Sequence, residues 1–285
     1  MLKRKMYDRL LEWKKNKGTE CLLIKGARQV GKTYLVRQFG ANEYESFIEI
    51  NFHMQSNLKS IFEGELSSEE IFKRITANIP GVKLIPGKTL LFLDEIQKCA
   101  NARTALKFLA QDERFDVIAS GSLLGLAYGQ DADKEVKEVD SIPVGYEKPL
   151  MMYSLDFEEF LWAYGYNDDT IDYLRRFYDS KEKIPTEINE KYDMILREYL
   201  VVGGMPEVVA NFMEYKDFGK VQEIQDKILS SYADDISQHA KGAEKVKVRK
   251  CYDSIPRQLA RENRKFKYSE VESKATARKF GDSVQ

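Results

Sequence analysis

One segment constrains the fold more than any other: IKGARQVGKTYLVRQFG, Ile24 to Gly40. Gly26, Gly31, Lys32 and Thr33 satisfy the pattern G-x-x-x-x-G-K-[ST], preceded by the apolar run ECLLIKG and followed by a helical stretch that is expected to stop at Gly40. In that strand–loop–helix setting, glycines let the backbone wrap closely around phosphate. The amides from Gln29 to Thr33 then point inward, aided by the helix N-terminus. Lys32 is placed to reach the β- and γ-phosphates, and the Thr33 hydroxyl is a hard oxygen ligand of the kind Mg2+ prefers. The expected cradle covers Gly26, Ala27, Arg28, Gln29, Val30, Gly31, Lys32, Thr33 and Tyr34. Arg28 is open to two readings, an ion pair with a carboxylate or a lean toward the nucleotide.

The surrounding half of the chain alternates strand and helix patterns. SFIEINF (46–52), KTLLFLDEI (88–96) and FDVIASGS (115–122) have strand character, while SSEEIFKRI from Ser67 and ARTALKFLAQ (102–111) have helical character. Glu70 lies three residues after Ser67, the spacing of a capping box. Such alternation predicts a parallel sheet with helices on its faces, and ligands of such sheets bind at the carboxyl ends of the strands. Asp94 and Glu95 fall at one of those ends. Asp94 is the residue expected to hold a Mg2+-bound water, and Glu95 is placed to polarise an attacking water as a general base. This pair favours hydrolysis over phosphate transfer to a second substrate. Ser120 and Ser122 end the next strand. They are readable either as hydroxyls beside the γ-phosphate or as small residues easing a tight turn.

Two absences temper the expected rate. The sequence has no arginine between Arg114 and Arg175, where an oligomeric ATPase of this kind often places a charge-stabilising finger. Such a finger is worth on the order of 10³–10⁵ in rate, so slow turnover is expected unless Lys134, Lys137, Lys148 or a partner supplies the charge. An arginine-rich lid after the acidic strand is also missing, which disfavours a small-molecule kinase.

Beyond about residue 150 helical patterns dominate. Asp156 and Glu159 form a capping box opening DFEEFLWAYG, Thr186 is expected to cap a helix to about Leu200, and GGMP (203–206) breaks it. Val221, Ile224, Ile228, Tyr232 and Ile236 recur at helical spacing. Between Lys241 and Lys267 ten lysines and arginines face three acids, a local excess of seven positive charges readable as a solvated face or a nucleic-acid contact. A long helix there, then a short one capped by Ser269, resembles the opening of a helix-turn-helix. Asp282 and Ser283 look like the cap of a helix that does not follow, so a truncated chain is expected.

Composition narrows the rest. A net charge of −1 predicts no particular partner, and no window reaches the roughly 18 uninterrupted apolar residues of a membrane span. The basic N-terminus is expected to form an amphipathic helix on Leu2, Met6, Leu10 and Trp13 rather than a signal peptide. Cys21, Cys99 and Cys251 are scattered, which argues for reduced thiols and a cytoplasmic location. His53 and His239 lack a second metal ligand nearby, and His53 is expected at the surface.

Taken together, GARQVGKT, LLFLDEIQK, ASGSLLG, YSLDFEEFLWA and YLVVGGMPEVV resemble prokaryotic ATP-binding proteins that have an AAA-type N-terminal domain and a C-terminal domain of unknown function 4143. The resemblance implies an α/β fold, with an AAA-type P-loop NTPase core over 1–155 and a helical lid over 156–242. It also implies the start of a winged-helix-like region over 243–285, with a nuclease-like part beyond. ATP and Mg2+ are the implied ligands, with Lys32 and Thr33 on the nucleotide and metal and Asp94 and Glu95 as the acidic pair. Many members carry Gly-Arg where this chain has Gly145-Tyr146, so no arginine role carries over there. The expected activity is Mg2+-dependent ATP hydrolysis coupled to domain motion, in a chain able to form a homo-oligomer. The rival is an ATP-gated module that contacts nucleic acid through its basic end.

Overall fold

The computed structural model describes residues 2–16, 18–122, 145–239, 242–263 and 265–281. Lys134, Lys137, Arg264, Asp282 and Ser283 lie outside the described residues. The chain divides into two compact units, Met1–Val221 and Gln222–Gln285.

The first unit is built on five parallel strands: β1 (Cys21–Gly26), β2 (Ser46–Asn51), β3 (Thr89–Asp94), β4 (Asp116–Ser122) and β5 (Glu147–Met151). Their order across the sheet is β2-β3-β4-β1-β5. Parallel strands need helical crossovers, and these cover both faces, so the central strands are buried on both sides rather than alternating. β3 is buried at all six positions and β4 at all seven. On one face Leu22, Ile24, Leu90 and Phe92 pack against Met6, Leu10 and Trp13 of α1 (Lys5–Lys15) and Leu35, Val36 and Phe39 of α2 (Lys32–Glu43). On the other, Leu23, Ile50, Leu91 and Leu93 meet Ile71, Phe72 and Ile75 of α3 (Ser68–Asn78) and Leu106 and Leu109 of α4 (Ala100–Gln111). His53 is exposed, as expected, and Cys21, Cys99 and Cys251 are buried free thiols.

Several local expectations need correction. α2 does not stop at Gly40 but runs on to Glu43. Gly40 is there for space: a Cβ at this position would lie 2.2 Å from the Phe47 ring. Ser67 makes no capping hydrogen bond, and the Glu70 carboxylate instead accepts Arg74 Nε at 3.2 Å, so the expected capping box does not form. The Asp156–Glu159 capping box does form, at the start of α5 (Phe157–Tyr164). After α6 (Asp168–Ser180), α7 (Thr186–Val202) begins with Thr186 inside the helix and Pro185 as its cap. Pro206 sits in the first turn of α8 (Pro206–Tyr215), where its missing amide costs nothing.

α9 (Phe218–His239) carries the boundary between the units. The second unit continues with α10 (Gly242–Leu259) and α11 (Ala277–Phe280), and its small core gathers Cys251, Val271 and Phe280. Ser269 lies inside a three-residue 3-10 turn, Tyr268–Glu270, and so caps no helix. Part of the positive charge here is paired: Lys250 and Lys279 with Glu272, Arg261 with Glu270, and Arg249 with Asp253.

Candidate nucleotide site

Neighbouring strands stand about 4.8 Å apart, so with β4 between them the tips of β1 and β3 are roughly 10 Å apart. The sequence elements singled out above therefore converge at one edge of the sheet. Gly26 ends β1, Asp94 ends β3, Ser122 ends β4 and Asn51 ends β2, the last directly opposite Asp94.

The loop after β1 has the close-packed backbone its glycines foretold. A Cβ on Gly26 would lie 2.3 Å from the Met152 carbonyl oxygen, so no other residue fits. Gln29 and Gly31 adopt positive φ of 62° and 95°, turning the chain into the first turn of α2. Lys32 is only 6% exposed, and its Nζ donates to the carbonyls of Gly26 (3.0 Å) and Ala27 (2.7 Å). Burial pushes its pKa below the ordinary lysine value, opposed by the charges of Glu95 and Asp94. Arg28 lies close enough to add to that depression, so its cationic charge is felt at the loop.

Asp94 is 1% exposed and receives three side-chain donors. Thr33 Oγ1 (3.0 Å) and Asn51 Nδ2 (2.8 Å) share Oδ2, while the Ser120 hydroxyl donates to Oδ1. Burial raises the Asp94 pKa above the usual carboxylate value, against the lowering effect of the Ser120 and Thr33 bonds. A divalent cation would offset that cost, and hydroxyl and carboxylate oxygens 3.0 Å apart are the hard donor set Mg2+ takes. Glu95 follows in the left-handed region, φ 56° and ψ 44°, uncommon for a residue with a Cβ. Its carbonyl accepts Lys98 N–H (2.9 Å) in the short 3-10 turn Ile96–Lys98, and its Oε2 accepts Gln97 Nε2 at 2.6 Å.

The two serines separate in role. Ser120 is fully buried and its hydroxyl donates to the Asp94 carboxylate. Ser122 sits at the strand tip, opposite Gly26 in register. Lys148 pairs with Leu22, four residues before the end of β1 and so roughly 13 Å from the strand tips of its own chain.

Arg4 is the residue the sequence did not flag. Its guanidinium is buried and donates to Glu159 Oε1 (3.1 Å), Val30 O (3.0 Å) and Tyr153 O (2.6 Å). Glu159 also accepts the amides of Lys5 (2.7 Å) and Asp156 (3.1 Å). One buried ion pair thus ties the start of α1, the phosphate loop and the start of α5 together. No spacing rule links residues 4, 30 and 159, and the only prior signal was that Glu159 completes a capping box. Beside Arg4 opens a cleft of about 700 Å³, lined by Leu2, Gly31, Tyr34, Trp162, Pro206 and Met213 among others.

A parallel sheet in this order, with a G-x-x-x-x-G-K-T loop after β1 and an Asp-Glu pair at the end of β3, defines an AAA-type P-loop NTPase fold. The chain belongs to the AAA domain family, whose profile matches residues 18–161. Residues 194–284 match a domain of unknown function designated 8612, which replaces the 4143 domain that the resemblance implied. Among solved structures, the Walker-type ATPase paby2304 of Pyrococcus abyssi is similar at 15% identity and a TM-score of 0.54, over 98% of this chain and 90% of that one. AMPPCP-bound DnaA from Aquifex aeolicus matches at 15% identity and a TM-score of 0.42, over 97% of this chain and 82% of that one. The Aeropyrum pernix ORC1 protein in complex with DNA matches at 14% identity and a TM-score of 0.37, over 100% and 82%. No curated protein matches the chain. No helix among the described residues is long and apolar enough to cross a membrane.

Proposed function

We propose that this chain binds ATP with Mg2+ at the loop Gly26–Tyr34 and hydrolyses it slowly, using Glu95 as general base. The observation that carries the reading is the convergence of Thr33 and Asp94, 3.0 Å apart, with Glu95 next in the chain in a left-handed backbone conformation. Loop amides and Lys32 would neutralise the phosphates. Thr33 and Asp94 would hold Mg2+, which when bound draws charge from the phosphate oxygens. Glu95 would take the proton of the attacking water, a role worth about 10²–10⁴ in rate. The apolar cleft beside Tyr34 and Trp162 is sized for a nucleobase and sugar, which would place the base against α5 and α8. Because Arg4 and Glu159 join α1 and α5 to the loop, nucleotide occupancy would be felt in the helical part of the same unit.

Arg4, committed to its three acceptors, and Lys148, distant from the strand tips, do not supply a finger in cis. A second copy in a homo-oligomer, or a client, is the expected source, and turnover by the isolated chain should be slow. An ATP-gated contact with nucleic acid is the weaker reading, since Glu270 and Glu272 take up Lys250, Arg261 and Lys279. Phosphate release from ATP, measured with and without Mg2+, tests the proposal. Turnover that needs Mg2+ and is lost in Lys32→Ala supports it, and a chain that binds no nucleotide contradicts it.

A further inference from the structure

The conspicuous unexplained group near the site is Gln97. It is 9% exposed, in the 3-10 turn that follows Glu95. One amide hydrogen goes to Glu95 Oε2 at 2.6 Å, and the same nitrogen lies 3.5 Å from Ser122 Oγ at the tip of β4. Its Oε1 is buried and has no donor among the described residues. A buried amide retained for stability would satisfy both of its ends, because an unpaired buried acceptor is costly. This side chain satisfies only the end that faces Glu95 and Ser122.

We propose that Gln97 is a positioning residue that fixes the Glu95 carboxylate and couples it to Ser122 at the strand tip. The inference rests on the reading of Glu95 as general base. With Oε2 occupied by Gln97, the other carboxylate oxygen is the one left to accept the proton of water. The second hydrogen on Gln97 Nε2 points along the path to Ser122. When the Ser122 hydroxyl donates to a γ-phosphate oxygen, its own oxygen is oriented to accept from Gln97, and hydrogen bonds in such a chain strengthen one another. The carboxylate is then held in its working pose when a γ-phosphate is present, and held less firmly after phosphate leaves. Glu95 in a left-handed conformation has few other restraints beyond the Lys98 amide on its carbonyl.

Gln97→Met keeps the length and removes both donors along with the orphaned acceptor. Steady-state phosphate release by the 285-residue chain should then fall about ten- to hundredfold in kcat, the scale of one hydrogen bond to a charged group. KM and the affinity for a fluorescent ATP analogue should stay unchanged, and the melting temperature should hold or rise. In the Glu95→Gln background the same change should add no further loss, because Gln97 acts through Glu95. Wild-type turnover that depends on Glu95 but not on Gln97 overturns this inference alone. A loss of kcat that comes with a lower melting temperature, or that persists in the Glu95→Gln background, also overturns it. Turnover indifferent to Glu95→Gln overturns the general-base reading and this inference with it.

Discussion

Replacing Arg4 with methionine removes one buried cation and three hydrogen bonds at once, at 3.1, 3.0 and 2.6 Å. The Glu159 carboxylate, 5% exposed as a side chain, keeps only the Lys5 and Asp156 amides as donors. Breaking a buried pair by removing one partner costs about 3–5 kcal/mol, because the remaining charge stays desolvated. For a unit of this size each kcal/mol moves the melting temperature by roughly 2–4 °C, so Arg4→Met should melt about 6–20 °C below the wild type. The second change, Glu159→Gln, removes the stranded charge. The double variant should therefore recover part of the loss, with a coupling of about 1–3 kcal/mol in a double-mutant cycle. Circular dichroism melts and urea titrations of the four proteins measure this directly. Additive losses, or a cost below about 1 kcal/mol for Arg4→Met, would refute the claim that the pair acts as one buried unit. Arg4→Lys should fail to substitute, since an ammonium cannot present the planar fork that reaches Glu159, Val30 and Tyr153 together.

Other consequences are equally direct. Gly40→Ala should destabilise by about 1–3 kcal/mol through its clash with Phe47, and Phe47→Leu should relieve part of it; equal melting of wild type and Gly40→Ala would refute the packing role. Because burial raises the Asp94 pKa, the folded chain holds that proton more tightly than the unfolded chain. Stability from this group therefore falls as pH rises from the ordinary carboxylate range through the raised value, and Asp94→Asn should flatten that slope in pH-dependent melts. An unchanged slope would count against it. Ser120→Ala should weaken Mg2+-dependent nucleotide binding several-fold by freeing the Asp94 carboxylate while leaving Mg2+-independent binding intact, as calorimetric titration would show.

The sheet and its phosphate loop were legible because their signals are local: an apolar run, glycines at fixed offsets, then a helix. Asp94 and Glu95 were legible for the same reason. What escaped was whatever depends on register or distant contact. Asn51 meets Asp94 only because β2 and β3 align in parallel, and nothing in SFIEINF announces that alignment. Arg4 joins elements more than a hundred residues apart. Gly40 looked like a helix stop because a glycine's local meaning is a break, whereas here Phe47 on the next strand sets its identity. Ser120 and Ser122 were indistinguishable in IASGS until strand depth put one against Asp94 and the other at the rim. Of the positive charges between Lys241 and Lys267, Lys250 and Arg261 pair with Glu272 and Glu270, which lie outside that window.

The central claim is that this site turns ATP over through Glu95. The most direct measurement incubates wild type and Glu95→Gln with radiolabelled ATP and Mg2+, isolates the protein-bound nucleotide, and resolves ATP from ADP. The account predicts that both proteins retain nucleotide equally, with ADP accumulating on the wild type and ATP persisting on Glu95→Gln. Equal ATP-to-ADP ratios on the two proteins would contradict it.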